Sequence, residues 1–344
     1  MADRLTGLGQ SVEEYLVLNG DVTLSDLYYG AVKHYDGSRT DIVQMGELRV
    51  DDDVLEVLPD VKVLLDESAW EKVCELLRIP FAYMKRLSKY MRKVNAEFWF
   101  DHDADKDVTV ISKGDLLVDI RADMEISMVD VLAIMDSVVD GAKVFRSVHK
   151  KNSTIIDVFD ERVSFDMGTL GSNRVYYGGL RVEVKDGLKA PAISPMLIDE
   201  DSCSVVEFGQ FLEPLNIKSL SYDDILSVIE ERMDNCYGAV PRLAETMNHI
   251  WDEDVPNPRR RLQLYCREHG IPERVRAYIL DRFDESGFDK ATFGDIIGLF
   301  GVMGYVNEVK QSSELKLQQL AGYIVMKAHT ERRCKACDAT LVEE

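Results

Sequence analysis

Between residues 97 and 184 the apolar residues recur mostly with a period of two. After about residue 220 they recur with the period of a helix. That change of rhythm restricts the chain to an α+β architecture, with an antiparallel meander sheet and flanking helices first and an all-helical region after it. The expected strands are Phe98-Trp99-Phe100, Val108–Ile111, Leu116–Ile120, Ala142–Val148, Ser153–Val158, Arg162–Phe165 and Arg174–Val184. Turn residues such as Ser112-Lys113-Gly114-Asp115 separate them. The pair Gly178-Gly179 inside the last strand marks a bulge or a close backbone approach.

Helical signals start at Ser68. Ser68-Ala69-Trp70-Glu71 reads as a capping box, and Ile79-Pro80 ends that helix and opens the next. In the second helix Met84, Leu87 and Met91 form the expected buried stripe, with Lys85, Arg86, Lys89, Arg92 and Lys93 on the outer face. Met128–Val139 is a further helix inside the strand region. Helices expected later run from Ser221 through Asp234, from Pro241 to Trp251, and then over Arg260–His269, Glu273–Phe283, Lys290–Val302 and Ser313–Arg332. Three regions follow: an irregular 1–60, an α+β core domain 61–210 and a helical domain 211–344. The run Cys74-Glu75-Leu76-Leu77-Arg78-Ile79-Pro80 is echoed by Cys266-Arg267-Glu268-His269-Gly270-Ile271-Pro272. Two matches are no sustained period, and the echo reads as shared helix punctuation.

The 344 residues include 41 basic and 62 acidic ones, a net charge of −21 that repels polyanions at long range. Such a balance leaves only a local basic patch as a nucleic-acid site. Lys85, Arg86, Lys89, Arg92 and Lys93 put five cations into nine residues, directly before Trp99. A basic groove with stacking aromatics is what single-stranded nucleic acid requires. The same run also reads as a solvated helix face balanced by Asp101, Asp103 and Asp105. Arg146, Lys150 and Lys151 belong to a second basic stretch, and Arg259-Arg260-Arg261 begins a third.

Six cysteines are scattered without the spacing of a stapled secreted module. The N-terminus lacks the pattern of a signal peptide, and no apolar run is long enough to span a membrane. A reducing cytoplasm is the expected setting. Cys334-Lys335-Ala336-Cys337, with His329 nearby, is a half-site for zinc, which needs four ligands and so a second subunit to complete it. The same pair also reads as a frayed end without metal. Asp101-His102-Asp103-Ala104-Asp105 lacks the Gly and Glu that a calcium loop needs and reads as a charged hairpin tip. No hydrolase, phosphate-loop or zinc-protease motif is present. Paired carboxylates, for example among Asp157, Asp160, Glu161 and Asp166, can hold magnesium and are a route to a metal-dependent enzyme.

The helix pair joined at Ile79-Pro80, with Tyr83, Arg86-Leu87, Asn95 and Phe98-Trp99, and then Leu116–Ile120 before Arg121-Ala122, resembles a phage/plasmid-like protein family with a domain of unknown function. The likeness extends over roughly residues 60–250 through Tyr176-Tyr177-Gly178-Gly179-Leu180. Asp123-Met124-Glu125 departs from the family's Ser-Asp-x-Tyr, and Cys203 stands without its Cys-Thr-Asn-Gly turn. The resemblance implies a phage- or prophage-encoded protein of the host cytoplasm and carries over no functional residue. Three expectations stand: a non-enzymatic homo-oligomer in DNA metabolism that binds or anneals single strands; an acidic, DNA-mimic-like interaction or assembly factor for a host or phage protein; and a metal-dependent enzyme.

Overall fold

The computed structural model describes residues 15–17, 22–122, 126–150, 153–168, 174–185, 190–209, 215, 217, 220–287, 290–302 and 311–331. It is an α+β chain of two six-stranded sheets, predominantly antiparallel, with ten helices among the described residues. The chain divides into two compact units.

The first unit spans Asp26–Val131. After helix α1 (Leu24–Tyr35), which begins just before it, come β2 (Arg39–Gln44), β3 (Arg49–Asp51), β4 (Val54–Leu58) and β5 (Val61–Leu64). Helices α2 (Glu67–Leu76), α3 (Phe81–Met84) and α4 (Lys89–His102) follow, and then the hairpin β6 (Asp107–Lys113) and β7 (Leu116–Ala122). The strand order is β2-β6-β7-β5-β4-β3. One core joins Val50, Leu55, Val63 and Val110 of the sheet to Trp70, Val73, Ala96 and Phe100 of the helices. The least regular part of the sequence, 1–60, supplies three of the six strands, β2, β3 and β4. α2 is capped by Asp66, whose carboxylate accepts from the Ala69 amide at 2.8 Å, and not by Ser68. A charged acceptor at the positive helix end is the stronger cap.

In the second unit, the meander β8 (Lys143–Lys150), β9 (Ser153–Met167), β10 (Arg174–Lys185), β11 (Ala192–Asp199) and β12 (Ser204–Glu207) is extended at the β8 edge by β1 (Tyr15–Val17). Before it runs α5 (Met128–Val138), and after it α6 (Tyr222–Trp251), α7 (Pro258–Glu268), α8 (Glu273–Glu285), α9 (Phe293–Val302) and α10 (Gln311–Glu331). Tyr176, Leu197 and Val206 of the strands share one core with Met247, Trp251, Phe300 and Ile324 of the helices. The strands before the expected boundary at residue 210 and the helices after it thus share one continuous core. Pro241 does not start a helix but sits inside α6. Ile225, Ile229, Met233, Cys236, Val240, Leu243 and Met247 keep one buried stripe in phase across it, so packing outweighs the lost amide bond.

The Gly178-Gly179 pair does both things its position suggested. The β9–β10 register shifts between Tyr177 and Gly178, and a Cβ on Gly179 would lie 2.1 Å from the Val158 carbonyl oxygen. The echoed Cys-to-Pro runs turn out to be the same helix stop. Ile79 N–H donates to Cys74 O and Ile271 N–H to Cys266 O, each at 2.8 Å, across residues with positive φ, Arg78 (56°) and Gly270 (62°). This is the left-handed C-terminal cap, which glycine adopts freely and arginine does not. The glycines of α9 pack within the unit, Gly294 against Trp251 and Gly301 against Ser204. No described helix is long and apolar enough to cross a membrane.

Candidate interaction surface

Ser88 starts α4 by accepting from the Met91 amide at 3.3 Å, and the helix continues to His102. Phe98, Trp99 and Phe100 therefore lie on a helix and not on a strand. Successive residues point about 100° apart instead of alternating. Phe100 is fully buried, Trp99 is half-buried against the core, and Phe98 is 62% exposed. Ala96 and Phe100 anchor the helix.

The expected buried stripe holds at Met84 and Leu87, just before α4, but not at Met91. Met91 is not part of a buried stripe; it is exposed together with Tyr90, Val94 and Phe98. Tyr90, Val94 and Phe98 are spaced i, i+4, i+8 and form one row. Lys85, Arg86 and Lys89 are exposed, as the sequence implied, while Arg92 and Lys93 are half-buried. Lys89 pairs with Asp53, Lys93 with Asp51 at 3.7 Å, and Lys85 with Glu67. Arg92 donates to the Met84 and Lys85 carbonyl oxygens at 3.0 Å each. The run Asp51-Asp52-Asp53, which reads in sequence as a solvated turn, delivers two of these carboxylates from the β3–β4 turn. Hydrogen bonding to Asp53 holds the Lys89 ammonium above its ordinary value. Arg86 is exposed and forms no ion pair among the described residues.

A groove of about 660 Å³ runs beside these pairs. Asp53, Asp66 and Glu67 and, facing them, Lys85, Lys89 and Arg92 line it over an apolar floor that includes Trp70. Its charges balance one for one, so it offers a polyanion no net attraction.

Arg146 belongs elsewhere. It is fully buried in the second unit and is not a surface cation. Arg146, Asp157, Arg181 and Ser194 are register partners on β8, β9, β10 and β11, a single rung across four strands. Arg146 Nε donates to Asp157 at 2.9 Å, and Arg181 donates to both Asp157 oxygens at 2.7 Å. Arg181 also reaches Glu207 at 2.6 Å and Gln318 at 2.6 Å, while Glu314 pairs with Arg146. Burial alone would push the Asp157 carboxyl up, but the two guanidiniums outweigh it and hold the group below the usual carboxylate range. Buried charges persist only when paired this fully.

Three of the four carboxylates considered for magnesium face a cation or a phenol, and Asp166 has no such partner among the described residues. Asp157 is in the rung, Asp160 binds Arg162 and the Tyr237 hydroxyl, and Glu161 pairs with Lys143 at 2.5 Å. Among the described residues no three His, Cys, Asp or Glu side chains form a group that could hold a metal. Asp101–Asp107 is the end of α4 and the turn after it, with Lys106 on Asp103 at 2.8 Å. Lys151, Cys334 and Cys337 lie outside the described residues, as do the side chains of Lys150 and His329.

Comparison with known families, curated proteins and solved structures finds no match for this chain. Sequence reasoning missed the exposed row because it placed Met91 in the buried stripe and Phe98 in a strand. The signal against that assignment was the second apolar phase at Ala96 and Phe100, the smaller and more tightly packed of the two.

Proposed function

We propose that the protein acts by binding another protein, as an interaction or assembly factor, and that the outer face of α4 is its contact face. The observation that carries this reading is the row of Tyr90 (71% exposed), Val94 and Phe98, with Met91 beside it. Exposed apolar rows at i, i+4 spacing are what helix-in-groove contacts use. Three of the five neighbouring cations already have carboxylate partners. The resemblance to phage proteins supports a phage or host protein as partner. A second reading, single-stranded nucleic acid, draws support from the exposed rings of Tyr83, Tyr90 and Phe98 and from the exposed Arg86 before the start of α4.

A photo-crosslinking amino acid at position 98, in cells that carry the gene, separates the two readings. The expected result is a protease-sensitive protein adduct from position 98 and none from the exposed control position Asp60. A nuclease-sensitive adduct, or none at all, overturns the proposal.

A further inference from the structure

The geometry points to a second copy of this chain as an occupant of the α4 face, docked antiparallel about Val94. This rests on the reading of α4 as a protein contact face and names its partner.

Two observations carry it. The first is charge along the helix axis. At the N-terminal end of the row stands Arg86, exposed and with no ion pair among the described residues. At the C-terminal end Asp101 is 66% exposed on its side chain and held only by Arg49 at 3.5 Å, and Asp105 is exposed three residues past the helix end. One end is thus cationic and the other anionic. A parallel copy would set like charges together. An antiparallel copy sets Arg86 against Asp101 of the second copy, twice by symmetry, as an isologous contact requires. The same arrangement places Tyr90 over Phe98 of the second copy, ring against ring, with Val94 at the two-fold axis.

The second observation is area. Tyr83, Tyr90, Met91, Val94 and Phe98 are 41–71% exposed. With aromatic side chains burying roughly 150–250 Å² each when covered, they offer about 500 Å² per chain, or about 1,000 Å² in a pair. That reaches the roughly 1,000 Å² that a biological interface should clear. Phe98 is also held in place, its ring stacked on that of His102 at 6.3 Å and 8°, so docking costs it little side-chain freedom.

Sedimentation equilibrium of the full chain across about 1–100 µM tests the pairing. The expected result is a monomer–dimer equilibrium, with at least a tenfold weaker dimer for Phe98→Glu. Arg86→Asp and Asp101→Arg should each weaken it, and the double variant should restore it to within about threefold of the parent. Restoration supports antiparallel pairing even if a single variant is poorly behaved. A chain that stays monomeric throughout, or a double variant as weak as the singles, overturns it. A monomer that still yields a protein adduct from position 98 removes self-pairing and leaves the contact face standing. A monomer with no adduct removes both.

Discussion

Arg146 on β8 and Glu314 on α10 are 168 residues apart in sequence and form an ion pair from which solvent is wholly excluded. Glu314 and Gln318, one helical turn apart, bring α10 onto a rung of two arginines and an aspartate. Truncating Glu314 to Ala leaves Arg146 with one charge partner fewer at a site that water does not reach. A loss of about 3–5 kcal/mol is expected, read as a lowered denaturant midpoint, with faster amide exchange in α10 than in α6. An unchanged midpoint would mean that the pair contributes nothing net.

The two helix stops predict opposite effects at equivalent positions. Arg78 occupies a left-handed conformation that Gly270 adopts without strain. Arg78→Gly should raise stability by about 1 kcal/mol, and Gly270→Ala should lower it by a similar amount. Chemical denaturation of the two variants checks both signs.

Gly179→Ala would force a Cβ to within 2.1 Å of the Val158 carbonyl, a backbone atom that cannot swing aside. A loss of about 3 kcal/mol or more is expected. Gly114→Ala provides the comparison, since its Cβ meets nothing within 4 Å and only the positive φ is strained. The loss there should stay near 1 kcal/mol.

His269 packs edge-on against Tyr323, and burial pushes its pKa below the ordinary histidine value. The folded state therefore favours the neutral ring. Its contribution is fully present above about pH 6.5 and is lost as the pH falls through the lower folded value. The unfolding midpoint should fall between about pH 7.5 and pH 5, and His269→Gln should flatten that slope.

Asp51 and Asp53 hold Lys93 and Lys89 on the flank of α4. Replacing both carboxylates with Asn frees two cations. Labelled single strands should then bind more tightly at low salt than they do to the parent, with a log–log salt slope steeper by about 1.4. Equal binding by parent and variant would show that the carboxylates do not mask these lysines.

Local signals made much of this fold legible in the sequence. The β6–β7 hairpin, strands β8 and β10, the Gly178-Gly179 bulge and the helices after residue 220, apart from the break expected before Pro241, follow from periodicity and turn chemistry that neighbouring residues carry. β9, by contrast, runs unbroken through the two strands expected at Ser153–Val158 and Arg162–Phe165. Long-range pairing was not legible. Whether Arg146 faces water depends on Asp157, 11 residues on, and on Glu314, 168 residues on, and no local window holds both. α4 shows the same limit. Its two apolar phases are both self-consistent, and only the fit of Ala96 and Phe100 against the sheet decides which one is buried. Asp51 and Asp53 do stand at the exposed turn their sequence implied, but their pairing with Lys93 and Lys89, 42 and 36 residues downstream, is not a local signal.

Hydroxyl-radical footprinting of the full chain at low and at high concentration tests the central claim most directly, because tyrosine, methionine and phenylalanine side chains all react when wet. Tyr90, Met91 and Phe98 should become protected as the concentration rises, while Tyr29, 66% exposed on α1, keeps its rate. Equal labelling of α4 at both concentrations, and again in extracts of cells that carry the gene, would show that nothing covers the face and would contradict the account.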